Sequence, residues 1–476
     1  MHTRELLPDL ARVEKAVHEV GSADVPRPGR TDGYTVNPGL ELVRVCWKGL
    51  PALTGPDAVP EEGEEFVLVF RRPGTGEVIS LTAADGDLLA LKIVVEGISR
   101  KDAADQGGVP VSRVDAVLDL AARKGLLLAP ASRIRRQASA SRARDEVDES
   151  FLSARVFTLQ WHITQACDLH CKHCYDRSPR GELALPEALG VLEDLYGFCR
   201  DRNVQGQVSF TGGNPLLYPQ FEELYRAASG LGFALAILGN PASRQRMEGI
   251  VAVEKPVCYQ VSLEGLREHN DEIRGRGHYD RTLAFLDLLR DLGVYAMVML
   301  TLTEENLDQV IPLAGELRHR ADSFTFNRLS MVGEGANLRL PSKERFVAFL
   351  NEYLEAAKDN PVIGLKESLL NIALRERGER IFGGCAGHGC GAAFNFISVL
   401  PEGEAHACRK FPSPIGNVLE QGIAGAYDSP AAEKYRAGSR ACRSCSIRPV
   451  CGGCLAVSHG LGLDIFEERD PFCFMP

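Results

Sequence analysis

The sequence predicts an α/β protein: a partial (β/α)6 TIM-like barrel, preceded by a winged-helix-like domain and followed by a Cys-rich extension. Three observations carry this reading. Residues 155–330 alternate apolar β-rich runs with amphipathic helical patterns, six times over. Residues 1–130 hold a hairpin signal followed by three short helical segments. Eight of the fourteen cysteines fall between 385 and 473. Repeated βα units imply a parallel sheet with right-handed crossovers. In barrels of this kind the chemistry sits at the C-terminal ends of the strands.

Bulk properties narrow the class. A chain of 476 residues suggests two to four domains. A net charge of −10 argues against a nucleic-acid partner, which calls for a basic surface. No apolar run approaches the ~20 residues of a membrane span. The first residues, MHTRELLPDLARVEKAVHEV, read as an amphipathic helix with acidic residues rather than a signal peptide. The expected compartment is cytoplasmic, where a disulfide framework does not suit the reducing conditions. Metal ligation then accounts best for the clustered cysteines. The scattered Cys46, Cys199 and Cys258 read as small core residues.

In chain order, Leu6, Leu7, Leu10, Val13 and Val17 suggest one helix face. A strand follows at 40–47, and residues 66–81, FVLVFRRPGTGEVISL, form a hairpin around Pro-Gly-Thr-Gly. Thr82 is placed to cap the next helix, and further helices are expected at 99–105 and 111–124. The bland reading of this unit is a structural cap or a degenerate DNA-binding domain. Residues 131–154 form a linker whose Arg133, Arg135, Arg136, Arg142 and Arg144 precede an acidic half. Such charge runs are mostly solvated; contact with an acidic peptide is the alternative. The barrel strands are expected at 157–164, 207–211, 233–238, 257–263, 294–303 and 323–329. Residues 331–384 connect, with helices at 342–359 and 365–379. Residues 385–476 carry little apolar material, so metals are expected to fold them.

The chemistry starts at WHITQACDLHCKHCY, residues 161–175. Cys167, Cys171 and Cys174 give three close thiolates, enough for three irons of a 4Fe–4S cube. Such clusters ordinarily take four cysteines, so one iron is left for a small molecule. The stretch resembles the radical S-adenosylmethionine (radical SAM) family, whose open iron binds the amino and carboxylate groups of S-adenosyl-L-methionine. After the second strand comes Gly212-Gly213-Asn214-Pro215. Two glycines let backbone groups approach a ligand closely. The family carries Gly-Gly-Glu here, against the methionine amino group; Asn214 keeps the backbone contacts and an amide oxygen able to accept from an ammonium, and loses the charge pairing. The run from Ser262 through Glu264 to Arg274 is similar to the SLDG-x4-HD-x2-R stretch of peptide and sulfatase maturases. The resemblance implies that Ser262 bonds the ribose or carboxylate, that Glu264 and Arg274 pair nearby, and that Tyr175 packs by the adenine. His269 is weighed evenly between a helix surface and a function. His170 and His173 are read as solvent-facing.

The later cysteines follow the pattern Cys390, Gly403-x4-Cys408, Cys442-x2-Cys445-x5-Cys451-x2-Cys454, Cys473. C-x2-C pairs also suit zinc. The spacing resembles the SPASM extension of radical SAM enzymes. That resemblance implies two auxiliary clusters, one on Cys385, Cys390, Cys408 and Cys454, the other on Cys442, Cys445, Cys451 and Cys473. Arg409 stands where some relatives carry an acidic base, which speaks against alcohol-oxidising chemistry. The implied protein is a radical SAM/SPASM peptide maturase, with the layout of the selenobiotic-type thio(seleno)oxazole-modification maturases. It would abstract hydrogen from a ribosomally made precursor peptide, its leader adding as a strand to the first domain. A C–S or C–Se bond is one outcome, with flavodoxin or ferredoxin as electron donor. Two alternatives stay open: a maturase of a folded protein partner, and a non-catalytic zinc-binding winged-helix regulator.

Overall fold

The computed structural model describes residues 3–23, 33–50, 60–136 and 147–476. Arg142 and Arg144 of the basic run lie outside the described residues. The chain divides into two compact units, Met1–Ala131 and Ser132–Pro476. Among the described residues no helix is long and apolar enough to cross a membrane.

In the first unit the helix Thr3–Ser22 precedes β1 (Thr35–Val36), β2 (Leu40–Lys48), β3 (Glu61–Arg71) and β4 (Val78–Thr82). β2, β3 and β4 form one antiparallel sheet in that order. Alternation along β2 sends Val43, Val45 and Trp47 to one face, where Val67, Val69, Val13, Ala16 and Val20 complete a core. The buried helix stripe is rotated from the expected one. Leu6, Leu10 and Val13 pack inward, but Leu7 and Val17 are exposed, because Ala16 rather than Val17 continues the stripe. The same alternation points Cys46 outward and leaves it exposed, against the core role expected of it; Cys199 is buried and Cys258 half-buried.

Three helices follow, Asp85–Glu96, Arg100–Gly107 and Val111–Lys124, and β5 (Leu127–Leu128) pairs with β1. Thr82 does not cap the first of these. It ends β4 and donates to Glu65 at 3.1 Å, while the Ala84 amide donates to the Asp87 carboxylate at 3.1 Å.

The second unit contains the barrel: β6 (Val156–Thr164), β7 (Gln205–Gly212), β8 (Ala234–Leu238), β9 (Cys258–Ser262), β10 (Ala296–Leu302) and β11 (Ser323–Arg328). All pair in parallel with their sequence neighbours, and each crossover carries a helix, Leu185–Arg202 being the first. The expected partial barrel is therefore present. The sheet continues where none was expected. β12 (Phe396–Val399) pairs in parallel with β6, and β13 (Glu404–His406) and β14 (Pro414–Asn417) extend it antiparallel to nine strands. β12 is four residues, all buried, too short to show a period. Through it the extension buries Phe394, Ile397, Val399, Phe411 and Ile415, so it has the apolar core that its composition did not suggest.

Arg328, the last residue of β11, joins the barrel to the extension. Its side chain is 1% exposed. It donates to Glu367 at 2.9 and 3.3 Å and to Asp470 at 2.9 and 2.6 Å. Phe346 and Phe472 each lie 5.3 Å from its guanidinium carbon. Burial works against its charge, but Asp470 and Glu367 outweigh this and hold the guanidinium firmly protonated. Arg328→Met strands two buried carboxylates and should cost on the order of 3–5 kcal/mol in urea unfolding. Arg244→Ala, which removes the exposed partner of Asp291, should cost less than about 1 kcal/mol.

Candidate active site

A cavity of about 350 Å³ opens at the C-terminal ends of the barrel strands, a size typical of ligand pockets. Each strand gives it a side chain: His162, Thr211, Leu238, Ser262, Thr301 and Asn327. The loop after β6 adds Cys167, Cys171, Cys174 and Tyr175, and Gly212, Gly213 and Arg274 complete this face. Asn214 and Glu264 are buried and do not line it.

The two glycines serve the cysteine loop. A Cβ on Gly212 would fall 2.2 Å from the Thr164 carbonyl oxygen, and one on Gly213 2.2 Å from that of Ala166. Gly212 also has φ +128°, a region that favours glycine. The backbone is stitched there: the Gly213 amide donates to Thr164 at 2.9 Å and the Asn214 amide to Ala166 at 2.7 Å. Asn214 turns its side-chain amide to Asp168, at 3.1 Å, and Asn240 donates to the same oxygen at 2.6 Å. Neither Asp168 nor Asn240 was singled out in the sequence. The readable signal for Asn240 was its place in Gly239-Asn240-Pro241, a turn just past β8.

A buried ion pair holds the other side of the loop. Arg274 donates to Glu264 from Nε at 2.8 Å and Nη2 at 2.6 Å, and Nη1 lies 3.6 Å from the Cys171 sulfur. The Thr301 amide donates to Glu264 at 2.8 Å. Burial opposes ionisation of Glu264, but His173, Arg274 and Thr301 outweigh it and hold the carboxyl well below the usual range. His173 is not solvent-facing as expected: its Nε2 is 3.3 Å from Glu264 and 3.4 Å from Arg274. His170 is exposed at the cavity, and His269 is half-buried without lining it. The Tyr175 hydroxyl meets His162 Nε2 at 3.2 Å. Burial, with Arg409 nearby, pulls the His162 pKa down to about 3. Arg409 itself donates to the Thr211 hydroxyl at 2.8 Å.

A second cavity, of about 240 Å³, is lined by Cys385, Cys390, Cys408 and Cys454, against Thr158, Gln160, Gln207 and Ser209 of the strands. Asn327, Arg328, Arg409 and Lys410 line both cavities. Burial raises the Cys390 thiol to about 12 and Cys454 to about 11, so metal loading here must displace protons. Among the remaining cysteines, the Cys442 thiol is raised by burial and by neighbouring Cys445 and Cys473, and Cys451 by burial and, more weakly, by Asp470, Glu367 and Cys445. The Cys390 amide donates to the Cys451 carbonyl at 2.9 Å, tying the two groups together. Thiol-only donor sets select iron–sulfur clusters or zinc. Among the described residues no three Cys, His, Asp or Glu side chains stand ready to share one metal ion. Four thiols around a common cavity match a group several atoms across better than a single zinc.

Comparison with known proteins agrees. The radical SAM superfamily model matches residues 161–317, and SPASM, an iron-sulfur cluster-binding domain, matches 390–446. The antilisterial bacteriocin subtilosin biosynthesis protein AlbA of Bacillus subtilis is 25% identical over 62% of this chain and 66% of its own length. An AdoMet-dependent heme synthase of Methanosarcina barkeri is 26% identical over 66% of this chain and 95% of its own. The mycofactocin maturase MftC of Mycolicibacterium smegmatis is 28% identical over 66% and 82%. In fold, the chain is similar to Streptococcus suis SuiB bound to its precursor peptide SuiA, with TM-score 0.57 at 17% identity over 86% of this chain and 96% of that one.

The depressed pKa of His162 has a testable sign. The unfolded chain takes up the imidazole proton near pH 6.5 and the folded protein only near pH 3, so stability falls as pH drops through that window. Near pH 4 the loss attributable to this group should be roughly 3 kcal/mol. Urea unfolding of His162→Gln should show a correspondingly flatter acid limb than the parent, with His278, pulled to about 4 by burial, titrating in both.

Proposed function

Because the chain is a radical SAM enzyme with a SPASM iron–sulfur extension, related to peptide maturases, we propose that it modifies a ribosomally made precursor peptide in the cytoplasm. The observation that carries the reading is the cysteine triplet on the wall of a cavity reached by all six barrel strands. Cys167, Cys171 and Cys174 hold the cofactor-binding cluster, and the two groups of four later cysteines hold auxiliary clusters. When bound, the reduced cluster and S-adenosylmethionine supply one-electron cleavage of a carbon–sulfur bond, and so a radical able to take hydrogen from an unactivated carbon.

The protein's part is orientation and exclusion of water. Arg274, fixed by Glu264, and Ser262 present donors to the methionyl carboxylate. Gly212 and Gly213 hold the cysteine loop against β7, and Tyr175 closes the adenine side with its hydroxyl on His162. Arg409 is tied to Thr211 and offers no base, so a bond from substrate carbon to sulfur or selenium suits this cavity better than alcohol oxidation. The Gly-Gly-Asn-Pro variant supports the selenobiotic-type, thio(seleno)oxazole-modifying branch. A leader peptide adds to the outer edge of β4, which has no strand partner among the described residues. Flavodoxin or ferredoxin supplies the electron.

Two measurements separate the parts of this reading. Cys171→Ala should abolish 5′-deoxyadenosine formation yet keep about eight of about twelve irons, since two of three four-iron cubes remain; continued 5′-deoxyadenosine would remove the triplet from its role. Deleting residues 1–130 should abolish turnover of a co-expressed precursor peptide, read by mass spectrometry, without stopping 5′-deoxyadenosine formation. Unchanged turnover would favour a folded protein partner.

A further inference from the structure

A zwitterionic amino acid end brings one carboxylate and one ammonium to the cysteine loop. Arg274 is present for the carboxylate. The ammonium needs an anion, and residue 214 is an amide. The other acids near the loop are engaged. Glu264 is paired with Arg274, Asp176 lies 3.5 Å from Arg180 and takes the Ser178 amide at 2.9 Å, and Glu182 takes the Thr164 hydroxyl. Asp168 differs. It is exposed, lies between Cys167 and Cys171 of the cavity wall without itself lining the cavity, and has no cationic partner among the described residues. Only Oδ1 is bonded, by the Asn214 and Asn240 amides at 3.1 and 2.6 Å. Both asparagines are buried, at 5% and 8% exposure. Asn240 also points Nδ2 at the Cys167 sulfur, 3.7 Å away, so the carboxylate stands beside the first thiol.

The orientation of Asn214 follows from its neighbours. The Leu216 amide donates to Oδ1 at 3.3 Å, which leaves Nδ2 for the carboxylate. An acid at 214 would instead face Asp168 across that contact, two anions at hydrogen-bond distance. The pair of positions carries one negative charge, and here it stands on the loop.

We infer that Asp168 supplies the anionic contact for the methionyl ammonium of S-adenosylmethionine, held in place by Asn214 and Asn240. The inference rests on the cofactor site proposed above. It is tested by equilibrium binding to the reconstituted full chain, using S-adenosylhomocysteine, which carries the ammonium, and 5′-methylthioadenosine, which does not.

Asp168→Asn should weaken S-adenosylhomocysteine at least about tenfold, the weight of one charge-assisted bond, and leave 5′-methylthioadenosine within about twofold. Asn214→Glu alone should also weaken S-adenosylhomocysteine. The exchange Asp168→Asn with Asn214→Glu, which restores one acid facing one amide, should recover most of the loss. Iron content and circular dichroism equal to the parent show that each variant is folded and loaded. Unchanged S-adenosylhomocysteine affinity in Asp168→Asn overturns the inference. So does an equal loss for both ligands, which would mean a deformed loop, or failure of the exchange to recover binding in a folded, loaded protein. A parent chain that binds neither ligand sinks the cofactor site itself.

Discussion

The second unit depends on one buried cation. Arg328 ends the last barrel strand, and its two carboxylate partners come from different parts of the chain, Glu367 on the connection and Asp470 in the extension. Each carboxylate passes the constraint onward. Glu367 accepts the Leu369 amide at 3.1 Å, and Asp470 accepts the amides of Cys454 at 2.8 Å and Phe472 at 3.0 Å. A buried triad of this kind contributes little net stability compared with apolar packing, because desolvation offsets attraction. Its effect is on arrangement. The observed pairing of strand end, connection and extension satisfies three buried charges at once, and the same residue lines both cavities.

The cysteine loop is a second case of placement by non-covalent ties. On one side the loop lies where only glycine fits, against β7. On the other, the Lys172 amide donates to the Ile273 carbonyl at 3.0 Å, and Arg274 reaches Cys171. Asp168 is fixed by amides just past the ends of β7 and β8. These ties come from the chain's own backbone and side chains, so folding itself meets part of the entropy of ordering three thiols.

The barrel was legible in the sequence because buried parallel strands are apolar runs, and β6 to β11 are such runs with helical patterns between them. The triplet and the later cysteines were legible because their spacing is short and thiol chemistry is narrow. What stayed hidden is polar and distant in sequence. Nothing near Arg409 points to Thr211, nothing near Arg328 points to Asp470, and Asn214 reads as a lost acid until Asp168 is seen opposite it. β12 escaped because four buried residues carry no period. Thr82 has the right chemistry for a cap, but the strand pairing with β3 claims it first.

β12 lies beside β6 although the paired residues, Phe396 and Thr158 among them, are 238 positions apart along the chain. That neighbourhood fixes an order of events during synthesis. The six-stranded half can form once residue 328 has emerged, but one edge of it, and one wall of the second cavity, are still missing. Arg328 keeps two unmet donors until Asp470 is made. Closing so long a loop is slow, and until it closes the first cavity lacks Arg409 and Lys410 from its wall. The wall that β6 and β7 give to the second cavity is therefore made well before the four cysteines that face it.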